Sequence, residues 1–267
     1  MTQKARAVLY AMPMPPLRLL DCPVEGVNGR RVALVAVLAD LLIGAILLVA
    51  AAAALQQTLE LTPVVLPLAL FAYLGMAMLI AIARDGRPLT PADRVTLGRG
   101  VLVMLLVGLL AAAGDLAADP SVVFALALVA VLLDGVDGLV ARRLDCATEA
   151  GGRFDMELDA FLLLVLCLWL LLLERAGAWV LLIGLWRYAF VAAGWGVAAL
   201  KRPLPPSQRR RVICGVQGLG LAGCLIPGLP ALWSSLIAAG LLILVSYSFV
   251  TDIAASWRAD PSRGVSP

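Results

Sequence analysis

The sequence predicts an all-α integral membrane protein, a polytopic bundle of about eight transmembrane helices. Three observations predict it. Hydrophobic residues make up 62% of the 267-residue chain and mean hydropathy is +0.98, whereas soluble domains hold roughly 45–50% apolar residues even when glycine is counted. Apolar runs near the length of about 20 residues that a bilayer requires recur along the chain. Basic residues gather in every second loop between those runs.

Residues 1–30, with the adjoining Arg31, carry Lys4, Arg6, Arg18, Arg30, Pro13, Pro15 and Pro16. This reads as a basic, irregular cytoplasmic tail. The apolar run behind it exceeds the roughly 7–15 residues of a signal-peptide core, so it is not read as a signal peptide. Eight candidate spans follow, at about 32–55, 62–83, 95–114, 119–143, 152–174, 177–200, 212–227 and 230–254. The seventh is short, glycine-rich and the weakest. No polar stretch is long enough for a separate soluble domain.

The loops orient the bundle. Arg84, Arg87 and Arg94 lie in one loop. Arg142, Arg143 and Arg153 lie in a second. Lys201, Arg202, Arg209, Arg210 and Arg211 lie in a third. The intervening loops at 56–61, 114–120, 174–178 and 227–230 hold a single basic residue, Arg175. By the positive-inside rule the basic loops and both termini face the cytoplasm of the cell (plasma or inner) membrane. No internal repeat is visible, which disfavours a transporter built from inverted repeats.

The chain has no histidine, which excludes Ser-His-Asp, Cys-His and histidine-bound zinc chemistry. Its cysteines, Cys22, Cys146, Cys167, Cys214 and Cys224, form no C-x-x-C pair and read as small apolar residues. Nothing in the sequence points to nucleic acid.

The chemistry concentrates between Asp134 and Asp159. Charged groups at membrane depth cost roughly 2.5–3.5 kcal/mol each, and this stretch holds Asp134, Asp137, Asp155 and Asp159. Asp134, Asp137, Gly138 and Ala141 fall at i, i+3, i+4 and i+7, one face of a helix. Gly151, Asp155 and Asp159 fall at i, i+4 and i+8, again one face. A short loop joins the two helices, which predicts antiparallel neighbours with converging acidic faces. Glycine and alanine on those faces allow close approach. Four carboxylates without imidazole or thiol select Mg²⁺, Mn²⁺ or Ca²⁺ over zinc. Two ions bridged by shared carboxylates would suit phosphoryl chemistry. The competing reading is that the aspartates pair with arginines and hold the bundle.

The pattern D-x-x-D-G-x-x-A-R, eight residues, then G-x-x-x-D-x-x-x-D resembles the signature of the CDP-alcohol phosphotransferase family. Asp134, Asp137, Gly138, Ala141, Arg142, Gly151, Asp155 and Asp159 fill every fixed position over 26 residues. The family's first core helix often opens with N-x-x-T-x-x-R. Thr96 and Arg99 match it, and Asp93 stands where asparagine is usual. The resemblance implies a six-helix core at 91–256, preceded by two extra helices at 31–90 and followed by a tail at 257–267.

The resemblance also implies roles. Asp134, Asp137, Asp155 and Asp159 would ligate Mg²⁺ or Mn²⁺, two ions in all, with Asp159 also the base for the acceptor hydroxyl. Asp134, Gly138, Ala141, Arg142, Gly151 and Thr96 would belong to the nucleotide site. The substrates would be a CDP-linked lipid (CDP-diacylglycerol) and a small alcohol acceptor, with CMP released during phospholipid biosynthesis. Membrane lipids surround such an enzyme, and the resemblance is compatible with a homodimer.

Other residues carry two readings. Arg187, inside an apolar run, either receives the phosphate of an acceptor such as glycerol 3-phosphate or inositol phosphate, with Arg209, Arg210 or Arg211, or pairs with a nearby carboxylate. The 201–211 cluster also serves topology and anionic headgroups. Asp40 pairs with an arginine or lines a polar interface, and Glu157 is a loop-edge or supporting carboxylate. The six tryptophans read as span-end or packing aromatics. Two other functions compete with a transferase. A divalent-cation or proton-coupled transporter would also carry intramembrane acids, but would not need Gly138, Ala141 and Arg142 at fixed offsets. An intramembrane aspartyl protease needs only two aspartates.

Overall fold

Runs of leucine, valine and alanine offer the backbone no competing side-chain partners, and in a bilayer they close their own N–H and C=O groups as helices. The computed structural model describes residues 27–84, 88–144, 149–196 and 208–258. Among the described residues there are eight α-helices and no strand. They are α1 (Val27–Thr58), α2 (Val65–Arg84), α3 (Pro91–Leu109), α4 (Ser121–Leu144), α5 (Glu149–Leu172), α6 (Leu181–Gly196), α7 (Gln208–Gly223) and α8 (Ala231–Arg258). Short 3₁₀ turns at Leu110–Ala112 and Ala178–Val180 extend α3 and lead into α6.

Each expected span finds a helix, with ends displaced by a few residues. α1 starts at Val27 and so enters the segment read as tail. Four stretches among the described residues are long and apolar enough to cross a membrane: Val32–Thr58, Val65–Ile82, Pro91–Ala112 and Ala231–Thr251. The apolar parts of α4, α6 and α7 are shorter, at Ser121–Val136, Ala178–Ala189 and Val212–Gly223. The molecule is therefore a polytopic helical membrane protein in which half of the eight expected spans meet a full-length criterion. Lys4, Arg6, Arg18, Arg87, Lys201, Arg202, Arg263, Cys22 and Cys146 lie outside the described residues.

α3 is the innermost helix. In its most apolar 18 residues 67% are buried, against 28% for each of the other three full-length stretches. It packs against α1, α2, α4 and α5. Its start is set by a capping box. Thr90 Oγ1 accepts from Asp93 N at 3.2 Å, Asp93 Oδ2 accepts from Thr90 N at 2.7 Å, and Pro91 occupies the first turn. These bonds satisfy backbone donors that the first turn leaves open. Asp93 therefore has a definite local job at the position where the family pattern carries asparagine.

Two glycines fix the closest helix crossings. A Cβ on Gly108 would stand 2.5 Å from Ala69 Cβ and 2.7 Å from Val65 O, so α2 and α3 touch backbone to backbone. A Cβ on Gly184 would stand 2.7 Å from Leu164 Cα, which does the same for α5 and α6. At the end away from the acidic stretch, Arg175 Nη1 donates to Ile226 O at 3.1 Å and Leu229 O at 2.7 Å, while Ser235 Oγ donates to Arg175 O at 2.9 Å. The lone basic residue of the intervening loops thus ties the α5–α6 connection to the α7–α8 connection.

Two of the tryptophans, Trp169 and Trp186, pack between helices as expected. Trp169 is fully buried and donates to Leu106 O at 3.2 Å. Trp186 stacks on Phe249 with centroids 5.6 Å apart and donates to Ser246 Oγ.

The residues that join α4 to α5, 145–148, lie outside the described residues. α3 and α7 each pack against both of them. The acids of α4 and α5 meet across a gap that α3 and α7 flank.

Candidate active site

α3 carries a run of buried polar groups, and one of them, Arg99, reaches that gap. Asp93, Thr96 and Arg99 recur every third residue, and all three are buried. Thr96 Oγ1 donates to Ala92 O at 3.1 Å, within its own helix. Arg99 is 0% exposed. A guanidinium without water needs anions, and it has three. Its Nη1 donates to Asp134 Oδ1 on α4. Its Nη2 lies 2.5 Å from Asp155 Oδ1 and 2.9 Å from Asp159 Oδ1, both on α5.

The three aspartate side chains are 35%, 34% and 21% exposed, while Arg99 is sealed. The arginine therefore approaches the carboxylates from the protein interior. Their outer side opens on a cleft lined by Asp134 and Val131 of α4, Asp159, Leu162 and Leu163 of α5, and Cys214, Gly215 and Gly218 of α7. Cys214 Sγ stands 4.0 Å from Asp159 Oδ2. The lining thus combines two of the acids with apolar side chains.

Asp134, Asp155 and Asp159 can each present an oxygen so that all three oxygens lie within 4.8 Å of one another. One guanidinium against three carboxylates leaves an excess of acidic groups. An all-oxygen donor set of this size fits a hard divalent cation. The alternative pairing of aspartates with an arginine is also present, in the same atoms. Arg99 engages all three acids and still leaves them clustered.

The other expected site residues fall as follows. α4 is continuous through Leu144, so Asp137, Gly138, Ala141 and Arg142 keep their helical register after Asp134. Their side chains lie outside the described residues, as does that of Arg211. Gly151 is buried on α5, one turn before Asp155. Arg187 on α6 is ion-paired with Glu157 of α5. Arg209 on α7 donates to Thr251 Oγ1 on α8 and lies 6.0 Å from the centre of the Tyr247 ring. Arg210 is partly buried. Asp40 of α1 accepts from Arg94 Nε at 3.1 Å, joining the first helix to α3.

Sequence reasoning noted Arg99 only as part of a pattern and missed its contacts. Its signal was a charged residue inside the apolar run 95–114, which implies a buried acidic partner. Nothing in the linear order says which acids those are.

Searches of curated proteins and of solved structures returned no match. A family profile described as CDP-alcohol phosphatidyltransferase matches residues 89–251, well over half of the chain. The match takes in α3 to α8 almost entire, with Arg99, Asp134, Asp155 and Asp159, and on it the chain belongs to the CDP-alcohol phosphatidyltransferase family, transferases of substituted phosphate groups.

Proposed function

We propose that this enzyme transfers a phosphatidyl group from CDP-diacylglycerol to a small hydroxyl acceptor and releases CMP, as a step of phospholipid biosynthesis. The carrying observation is the meeting of Asp134, Asp155 and Asp159 in one cluster. The family is generally dependent on divalent metal, and the donor set fits Mg²⁺ or Mn²⁺, two ions with Asp137 as the fourth ligand. Such ions, when bound, neutralise the diphosphate and make CMP a better leaving group.

The chain's own residues do the rest. Asp159, the least exposed of the three acids, takes the proton from the acceptor hydroxyl. The acceptor oxygen bonds to the lipid-side phosphorus as the bond from that phosphorus to the CMP oxygen breaks. Gly138, Ala141, Arg142, Gly151 and Thr96 form the nucleotide site together with Asp134. Leu162, Leu163 and Val131 place apolar surface beside the acids. Arg187, with Arg209, Arg210 and Arg211, favours a phosphorylated acceptor such as glycerol 3-phosphate or inositol phosphate. In this reading Glu157 gives up Arg187 when that phosphate arrives.

The alternation of basic loops supports a multi-pass protein of the cell membrane with termini and cleft cytoplasmic. It also supports a core at 91–256 with an accessory helical pair at 31–90, and a homodimer is compatible with this arrangement. The test is release of CMP from CDP-diacylglycerol by purified protein with Mg²⁺ or Mn²⁺ across a panel of acceptors. Turnover with one acceptor identifies it. Absence of CMP with every acceptor, together with wild-type behaviour of Asp159→Asn in cells, removes the proposal and favours an ion pathway.

A further inference from the structure

We infer that Arg99 is a positioning residue for the divalent-cation site. Its guanidinium gathers the three carboxylates from behind before any cation binds. This rests on the metal-dependent reading above and adds a residue to which that reading gives no part.

Three observations carry it. Arg99 is 0% exposed, so it belongs to the protein interior and cannot itself reach a substrate in the cleft. It engages one oxygen of each acid, Oδ1 of Asp134, Asp155 and Asp159. The same carboxylates can bring oxygens within 4.8 Å of one another, although they come from two different helices. Three carboxylates this close repel one another, and an internal cation offsets that repulsion. A planar fork suits the job because its direction is fixed, whereas an ammonium is a point charge without preferred direction. Groups that hydrogen-bond to metal ligands orient them, and losing one typically costs about 10–100-fold in metal affinity.

The charge and the fork act in opposite senses on a cation. The positive charge of Arg99 repels it, and the fork arranges its ligands. Substitutions can separate the two. Arg99→Lys keeps the charge and loses the fork. Arg99→Gln loses the charge, which by itself tightens cation binding, and keeps only a short donor.

Mn²⁺ binding to the purified, detergent-solubilised full chain is measured by electron paramagnetic resonance of free Mn²⁺, with no substrate present. Wild type is measured first. No Mn²⁺ bound by wild type overturns the metal-dependent reading, and this inference with it. With Mn²⁺ bound by wild type, Arg99→Lys is expected to need about 10–100-fold more Mn²⁺ for half-saturation, at a melting temperature that shows folded protein. Mn²⁺ affinity unchanged in Arg99→Lys assigns the arginine to bundle pairing alone and overturns the inference. Should the lysine variant not fold, Arg99→Gln decides. Weaker Mn²⁺ binding there supports positioning, and equal or tighter binding refutes it.

Discussion

Arg99 Nη2 and Asp155 Oδ1 stand 2.5 Å apart across 56 residues of sequence. The bond links the innermost helix to the second half of the acidic signature, and Asp155→Asn probes it. Asparagine keeps the shape and one acceptor but removes the negative charge that faces the buried guanidinium. A folded protein with CMP release reduced at least about 10-fold is expected, as for loss of a charged metal ligand or its support. Release measured beside a gel-filtration profile checks it.

Asp159→Asn should act on chemistry more than on binding. A positioned base contributes about 10²–10⁴-fold, so kcat for CMP release should fall by at least about 100-fold. Binding of CDP-diacylglycerol, followed by displacement of a labelled analogue, should change far less. An equal loss in both would move Asp159 from base to ligand only.

Removal of divalent metal should abolish turnover reversibly. Dialysis against a chelator should stop CMP release, and Mg²⁺ or Mn²⁺ should restore it. Zn²⁺ should not, because the chain has no histidine and its donors here are carboxylate oxygens. Full restoration by Zn²⁺ alone would count against an oxygen-only site.

Gly108→Val should destabilise the bundle by about 1–3 kcal/mol, the usual cost of overpacking, because its new atoms meet Ala69 and the Val65 carbonyl. Gly75→Ala on α2 meets nothing within 4 Å. Relieving a mid-helix glycine there should gain about 0.5–1 kcal/mol. Thermal unfolding in a fixed detergent compares the two.

Arg187→Ala should raise the apparent KM for a phosphorylated acceptor more than that for the CDP-lipid. Steady-state kinetics with each substrate varied in turn reads the difference. Equal effects on both would leave Arg187 as the partner of Glu157 and nothing more.

Much of this was legible in the linear chain, for physical reasons. Helices at membrane depth announce themselves by length and hydropathy, and all eight expected runs hold one. The carboxylate cluster was legible because helical periodicity puts Asp155 and Asp159 on one face. Helix neighbours were not legible. A short loop says that α4 and α5 are consecutive, and it cannot say that α3 and α7 flank the space between them. Arg99 was lost for that reason, since its partners lie on two other helices. The pairing of Arg187 with Glu157 was open for the same reason. Asp93 was legible as a departure from pattern, and its role in the Thr90 cap follows only from the start of α3.

The two acceptors of Arg175 also impose an order in time. Ile226 and Leu229 follow α7 in the chain, and a ribosome delivers the N-terminal part first. While α5 and α6 are newly made, the guanidinium of Arg175 lacks the two carbonyls it holds in the finished protein. The connection's own backbone bonds to Leu170 and Leu171 can form at once, and the tie from the Arg175 side chain waits for the α7–α8 turn. Arg175 acts as a latch that the last helical hairpin shuts, so a chain halted before residue 226 would leave it open.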